Sequence, residues 1–148
     1  MGMRRKAREL VLQAAYALEM SGSPPEEIAN TLFHALAKDG DAFGFAKTLF
    51  NKTLEEKEKL DQQIAMALEN WNWSRLAVLD RLILRQALCE LLYFEEIPPK
   101  VTINEAIELA KKFSTEESGH FVNGILDALY KKYQQENRIV KRGRGLLG

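Results

Sequence analysis

Apolar residues recur every three or four positions over most of the chain, which is the spacing of amphipathic α-helices. The first such segment stops at Ser21-Gly22, and its apolar stripe consists of Ala7, Leu10, Val11, Ala14, Ala15 and Leu18. A second helix is expected to end near Gly40, with Ser23 as its cap and Glu26 completing a capping box. Because no segment alternates convincingly as a strand would, the pattern predicts an all-α fold.

The middle of the chain predicts one long helix followed by a more apolar one. The long helix is capped by Asp41 and reaches Leu68, and a break is expected at Trp71–Ser74. From Leu76 to Phe94 the chain is apolar on nearly every side, which is typical of a central helix surrounded by others. Glu90 is the one carboxylate on its apolar side, and we expect it to be buried in an ion pair or hydrogen bond rather than to act as a catalytic acid.

Prolines and polar residues divide the last third of the chain. Pro98-Pro99 cannot continue the preceding helix. Thr102-Ile103-Asn104-Glu105 has the form of a capping box and predicts the start of the next helix. Ser114–Gly119 is expected to be a polar loop, and a last helix is expected from about His120 to Tyr133.

The length of 148 residues suits one domain, expected over residues 1–133. Residues 134–148 are basic and glycine-rich and are expected to stay disordered. The formal net charge is zero, but basic residues are concentrated at both ends of the chain. These basic ends indicate either a polyanionic partner or a simple solubilising surface.

The chain has no residue pattern that indicates catalysis, a cofactor or a metal. His34 and His120 have no histidine, cysteine or carboxylate partner at ligand spacing, and Cys89 lies in the most apolar helix, where a buried thiol is expected. Phosphate-binding loops, dinucleotide fingerprints and serine elbows are absent from the sequence. The sequence therefore predicts a protein that is not an enzyme. Without an apolar run of about 20 residues or a signal peptide, it is expected in the cytoplasm and without a membrane partner.

The first predicted helix carries two candidate binding surfaces. Its start is strongly basic, through Arg4, Arg5, Lys6 and Arg8. Cations there oppose the helix dipole, and a bound phosphate backbone would offset that cost; the alternative is a loose basic tail. Tyr16 and Leu12 lie on the side opposite the apolar stripe, which indicates either a protein contact or a surface covered by another part of this chain.

A third candidate surface lies around the predicted polar loop. Basic, small polar and aromatic residues mix there, with Lys111-Lys112-Phe113 before the loop and His120-Phe121 after it. Single-stranded RNA is typically held by basic groups and by aromatic rings on which its bases stack. The alternative is core packing of at least one of the two phenylalanines.

The sequence resembles the NusB family of bacterial transcription antitermination factors over about residues 4–129. The matching segments are Arg4–Glu9, Gln13–Tyr16, Leu79–Arg81, Ile83–Arg85, Glu90-Leu91, Ile97-Pro98, Val101, Ile103–Ala106, Glu108–Lys111 and Phe121–Asp127. The resemblance implies two three-helix bundles packed as one domain. It also implies binding of boxA-type single-stranded RNA in ribosomal RNA leaders, together with the ribosomal protein NusE. That complex would act on RNA polymerase so that it ignores terminators.

The resemblance assigns roles to particular residues of this chain. The implied RNA-binding residues are Arg4, Arg5, Lys6, Arg8, Phe113, Glu117, His120 and Phe121. The implied residues of the NusE-facing surface are Tyr16, Asp80 and Arg85.

The chain departs from the family pattern at His120, where lysine is frequent, at Ser114, where glycine is frequent, and at Cys89, where an aromatic residue is common. Histidine in place of lysine at position 120 puts one phosphate contact of the family in doubt.

Family members include monomers and homodimers, and the sequence does not choose between them. Two alternatives stay open: an RNA-binding domain related to ribosomal RNA methyltransferases, and a helical protein–protein adaptor.

Overall fold

The computed structural model describes residues 2–68 and 73–147, and in these ranges it is helical without strands, so the all-α prediction is confirmed. The chain divides into two compact units, one ending at Glu55 and one starting at Glu56. The α-helices of the described residues are α1 (Gly2–Ser21), α2 (Pro25–Phe33), α3 (Gly40–Glu55), α4 (Lys57–Ala67), α5 (Val78–Tyr93), α6 (Pro99–Phe113) and α7 (Glu116–Gln135). None of them is long and apolar enough to span a membrane.

The first unit is built from α1, α2 and α3, with α1 in contact with both of the others. The rings of Phe33 and Phe50 meet edge to face with their centroids 5.7 Å apart, an arrangement that aromatic pairs favour. The apolar stripe predicted for the first helix is largely buried, and α1 ends at Ser21, as the sequence predicted.

Two caps predicted for this unit are wrong. Pro24 occupies the N-cap position of α2 and makes no side-chain cap bond, so Ser23 does not cap the helix. Pro25 then takes the first helical position, which suits its fixed φ and its missing N–H. At α3 the cap bond is made by Asp39, whose Oδ1 accepts from the backbone N–H of Ala42 at 3.0 Å. Asp41 is already inside that helix.

The long helix predicted to reach Leu68 is in fact two helices. Glu56 lies between α3 and α4 with φ −100° and ψ 11°. It belongs to a run of charged residues that has no apolar side chain to hold the helix against a core. Its carboxylate instead accepts a hydrogen bond from the Tyr93 hydroxyl at 3.1 Å. The break predicted at Trp71–Ser74 lies partly outside the described residues, and Trp73–Arg75 form a 3₁₀ turn.

In the second unit α5 is the central helix, as predicted, and it contacts α4, α6 and α7. Its side chains from Leu82 to Leu91 are all buried, including Cys89. Glu90 is buried as well, and its Oε1 accepts a hydrogen bond from Thr102 Oγ1 at 3.1 Å. The prediction of a hydrogen-bonded carboxylate at Glu90 is therefore confirmed.

The start of α6 differs from the prediction. The helix begins at Pro99 with Pro98 as its N-cap, so Thr102 lies within the helix and caps nothing. Because its hydroxyl bonds to Glu90, the residue that suggested a capping box instead joins α6 to α5.

The start of α7 also differs, because the predicted polar loop is already helical from Glu116 onward. Thr115 is the N-cap, and its Oγ1 accepts from the N–H of Ser118 at 3.0 Å. Glu116 and Glu117 occupy the first turn, where negative charge is favourable.

The C-terminal segment, for which the sequence predicted disorder, lies against the end of α5. Lys141 Nζ donates to the backbone oxygens of Glu90 and Phe94 at 3.3 and 2.8 Å, which supplies donors to carbonyls at the helix end. The N–H of Arg142 donates to Glu95 O at 2.9 Å, and Gly145 is buried.

Candidate nucleic-acid and partner interfaces

Arg4, in the first turns of α1, is held by a carboxylate and by an aromatic ring of α3. Its Nε and NH2 donate to the two oxygens of Asp41 at 3.0 and 2.9 Å. Its guanidinium lies 4.5 Å from the centroid of the Phe45 ring, a cation–π contact. The hydrogen bond and the charge of Arg4 hold the pKa of the Asp41 carboxyl below its usual range. These contacts hold the Arg4 guanidinium in one orientation, and the side chain remains partly exposed.

Arg8 uses the same ring from one helical turn further along. Its guanidinium lies 5.0 Å from the Phe45 centroid, and only 5% of the residue is exposed. Arg5 and Lys6 are exposed. The four basic residues predicted as one RNA-binding cluster therefore differ in exposure: Arg5 and Lys6 are exposed, Arg4 is partly exposed and held by Asp41, and Arg8 is buried.

Two aromatic residues of α3 that were not predicted as functional contact basic side chains. Lys47 Nζ lies 5.5 Å from the Phe43 ring, at the i, i+4 spacing that places two side chains on one helix face. Phe45 supports two arginines from another helix. The i, i+4 spacing was a usable signal for Phe43 and Lys47, whereas nothing local to Phe45 indicated its role.

In the second unit, the predicted RNA-binding residues lie at the end of α6 and the start of α7. Phe113 is half-buried, with Lys112 Nζ 5.5 Å from its ring centroid. Glu117 and His120 are exposed, and Phe121 is half-buried. Neither phenylalanine is fully buried in the core, although core packing was the expected alternative for at least one.

A cleft of about 220 Å³ brings two of these residues together with one that the resemblance assigned to the protein partner. Its lining consists of Arg75, Leu76, Ala77, Asp80, Thr115, Glu117, Ser118 and Phe121. Phe113 and His120 do not contribute to it.

Asp80, in the first turn of α5, is joined to α7 by hydroxyl groups. Its Oδ2 accepts from Ser118 Oγ at 3.2 Å, and that hydroxyl lies 2.9 Å from Ser114 Oγ. Asp80 is only 8% exposed, and its Oδ1 has no hydrogen-bond partner within residues 2–68 and 73–147. Burial raises the pKa of the Asp80 carboxyl, and the hydrogen bond from Ser118 opposes that rise.

The residues predicted to bind the protein partner also differ in how far they are exposed. Tyr16 is 42% exposed, whereas its predicted companion Leu12 is 1% exposed, so only the tyrosine offers a surface. Arg85 is buried, and its Nε and NH2 donate to the two oxygens of Asp61 at 2.7 and 2.9 Å. With Asp80 and Arg85 both engaged within their own unit, Tyr16 is the directly accessible member of the predicted set.

Within the part of the chain that the structure describes, no three histidine, cysteine, aspartate or glutamate side chains are grouped so that they could hold a metal ion.

Comparison with known proteins gives concordant matches over most of the chain. The model of the NusB family matches residues 5–131. The transcription antitermination protein NusB of Salinibacter ruber is 44% identical over 149 aligned positions, which cover 100% of this chain and 93% of that protein. Among solved structures, NusB of T. maritima is 38% identical with a TM-score of 0.80, over 91% of this chain and 95% of that one. The crystal structure of the antitermination factors NusB and NusE in complex with dsRNA is 30% identical with a TM-score of 0.81, over 90% of this chain and 99% of that one.

Proposed function

This chain belongs to the NusB family of transcription antitermination proteins, and on that premise we propose that it binds RNA together with the ribosomal protein NusE to help RNA polymerase read through terminators. The observation that carries this proposal is the match to the solved complex of NusB, NusE and RNA, which extends over nine-tenths of this chain. Similarity to a protein solved together with NusE and RNA supports binding of both partners by this chain.

The RNA that we propose is a boxA-type single strand from a ribosomal RNA leader. Exposed Arg5 and Lys6 would contact its phosphates, together with the oriented guanidinium of Arg4. Half-buried Phe113 and Phe121 would contact bases through the part of each side chain that is exposed. Since the solved complex contains double-stranded RNA, both forms belong in the test.

The remaining predicted RNA-binding residues take secondary parts in this proposal. Arg8 is covered by Phe45, so we assign it to supporting the ring on which Arg4 also rests. Exposed Glu117 and His120 would lie beside the strand.

For NusE we propose a surface centred on Tyr16, because an exposed tyrosine offers a large rigid contact at a protein interface. Asp80 and Arg85 would hold α5 in place within the second unit, through Ser118 and Asp61 respectively.

The proposal places the protein in the cytoplasm as a binding factor without catalytic activity. The alternative function, a helical adaptor without RNA binding, predicts binding of NusE but no RNA affinity. A methyltransferase-related activity would require transfer of a methyl group from S-adenosylmethionine to RNA, which we do not expect.

The test is fluorescence anisotropy of a labelled boxA RNA, single-stranded and as a duplex, with and without NusE at two salt concentrations. We expect NusE to tighten binding of the single strand and salt to weaken it steeply, because phosphate contacts release counterions. Binding that ignores RNA sequence and salt, or no binding at all, would refute the proposal.

Two variants separate the proposed surfaces. Arg5→Ala with Lys6→Ala is expected to weaken RNA binding and to lower the salt slope by about 1 for each lost phosphate contact. Lys57→Ala with Lys59→Ala removes the same charge from exposed positions of α4 and is the matched control. Tyr16→Ala is expected to weaken NusE binding while leaving binding of RNA alone unchanged.

A further inference from the structure

The C-terminal segment, residues 138–147, forms an open cleft of about 490 Å³ with the end of α7 and the start of α6. Its lining includes Pro99, Tyr130, Gln134, Asn137, Val140 and Leu146. Sites that bind small molecules commonly have volumes of roughly 300–1,000 Å³. We propose that this cleft receives one unstacked base of the RNA that flanks the boxA-type sequence, while Arg142 and Arg144 bind the neighbouring phosphates. The inference rests on the proposed function, because it adds a second contact to the same RNA.

The lining of the cleft combines apolar surface with amide groups, which suits the face and the edges of a base. Val140 and Leu146 are 46% and 71% exposed, so apolar surface is open to a ligand. Gln134 and Asn137 are exposed as well, and an amide both donates and accepts hydrogen bonds, as base edges require. The Tyr130 hydroxyl accepts from Gln134 Nε2 at 2.9 Å, which orients that amide. Single-stranded RNA is recognised through unstacked bases that are packed on their faces and bonded along their edges.

The charge of the lining favours a base over a phosphate inside the cleft. Lys141 is the one charged residue among the described residues that line it. Its Nζ already donates to the backbone oxygens of Glu90 and Phe94, so its charge is directed at the end of α5. An uncharged base therefore suits the cleft better than a phosphate, which would need a cation turned toward it.

The cations that would bind phosphate lie at the edge of the cleft. Arg142 and Arg144 are exposed, and each is adjacent in sequence to a residue of the lining, Lys141 or Gly145. Arg142 pairs with Glu95 at 3.0 Å, but the two side chains are 77% and 43% exposed, and a pair of that kind contributes little. A guanidinium binds phosphate through two parallel hydrogen bonds, so a phosphate can compete with Glu95.

The cleft lies at the opposite end of α7 from the RNA-binding residues of the proposed function. Tyr130 and Gln134 belong to the last turns of that helix, whereas Glu117 and His120 belong to the first. At 1.5 Å per residue, the helix rises about 21 Å between His120 and Gln134. A strand bound at the start of α7 reaches the cleft only if it continues beyond the boxA-type sequence, so RNA length is the variable to test.

The test compares a boxA RNA with the same RNA extended on its 5′ side or on its 3′ side, by fluorescence anisotropy with NusE present. In the wild type we expect one extension to tighten binding roughly ten-fold and to steepen its salt dependence. Arg142→Ala with Arg144→Ala should lose most of that gain, and the salt slope should fall by about 0.7 for each lost phosphate contact of a single strand. Lys57→Ala with Lys59→Ala removes the same charge from exposed positions of α4 and should keep the whole gain.

Leu146→Ser tests the contact with the base separately from the phosphates. Leu146 lines the cleft, whereas Leu147 is not among the described residues of its lining, although it is 65% exposed. L146S is expected to lose part of the gain without a change in salt dependence, because contact with a base releases no counterions. Leu147→Ser is the matched control and should keep the gain. Unchanged binding of the short boxA RNA shows that each variant is folded.

Each outcome supports or overturns a stated part of the proposal. If the wild type binds boxA RNA but neither extension tightens binding, the cleft has no contact with RNA and this inference alone is refuted. If L146S keeps the whole gain, the role of the cleft in binding a base is refuted. If the double arginine variant loses affinity for NusE and keeps the gain, the segment contacts protein and the inference is refuted. A wild type that binds none of these RNAs refutes the proposed function itself.

Discussion

The guanidinium of Arg85 and the carboxylate of Asp61 are joined by two short hydrogen bonds, Nε to Oδ1 at 2.7 Å and NH2 to Oδ2 at 2.9 Å. The pair joins central helix α5 to α4, and the side chain of Arg85 is only 8% exposed. An arginine buried to that extent depends on its counter-charge, because desolvation is costly for an ion whose partner is removed.

Asp61→Asn is therefore expected to lower the free energy of unfolding by roughly 2–3 kcal/mol, somewhat less than for a fully buried pair because Asp61 is partly exposed. Urea denaturation, monitored by circular dichroism, measures this change in the free energy of unfolding. Asp127→Asn is the matched control, since Asp127 pairs with Lys131 at 3.0 Å on an exposed face of α7 and should cost less than about 1 kcal/mol. Equal losses of unfolding free energy in the two variants would show that the Arg85–Asp61 pair stabilises the fold no more than a surface pair does.

Asp41 offers a second test, because its carboxylate neutralises an arginine of the proposed RNA-binding surface. Asp41→Asn removes one negative charge beside Arg4, while the contact with the Phe45 ring still supports the guanidinium. We expect RNA binding to tighten a few-fold at low salt, with a steeper salt dependence, because the negative charge of Asp41 no longer offsets that of Arg4. Glu58→Gln, an equal change of charge on exposed α4, should have little effect. Weaker RNA binding by D41N would mean that the orientation of Arg4 matters more than its free charge.

The apolar pattern was sufficient to predict α1, which has one apolar stripe, and α5, which is apolar on nearly every side and is therefore surrounded by other helices. Caps were predicted less well. Ser23, Asp41 and Thr102 all have suitable side chains, but prolines or another aspartate lie within four residues of each and determine where the helix begins. Side-chain chemistry alone does not choose among such neighbours, since the backbone geometry that decides depends on packing.

The sequence predicted which residues belong to the candidate sites, but it did not predict which of those residues are exposed. Nothing near Arg8 in sequence indicates that Phe45, 37 positions later, covers it. Asp80 likewise receives its hydrogen bond from Ser118, 38 positions away. Resemblance to a family supplied the positions, and only the packing of separate helices shows which of them are accessible.

The raised pKa of Asp80 predicts a particular dependence of stability on pH. Because burial favours the protonated form, the folded state binds more protons than the unfolded state between the ordinary aspartate pKa, about 3.9, and the raised one. Stability contributed by this group is therefore present at low pH and is lost as pH rises through that window. Asp80→Asn has no such loss, so the difference in unfolding free energy, D80N minus wild type, should increase from pH 3 to pH 7. Denaturation across this range measures it, and a difference that stays flat or decreases would contradict the role of burial.

Gly145, in the C-terminal segment, lies against the backbone of Glu95. A Cβ built there would overlap the backbone carbonyl oxygen of Glu95, which cannot turn aside as a flexible side chain can. Gly145→Ala is therefore expected to detach the segment and to speed tryptic cleavage after Arg138 and Lys141, followed by mass spectrometry. Gly124→Ala is the control, because that α7 position has open space around it; it should stabilise the helix by about 0.5–1 kcal/mol and leave cleavage unchanged. If G145A is cut no faster than G124A, the segment does not depend on this close approach.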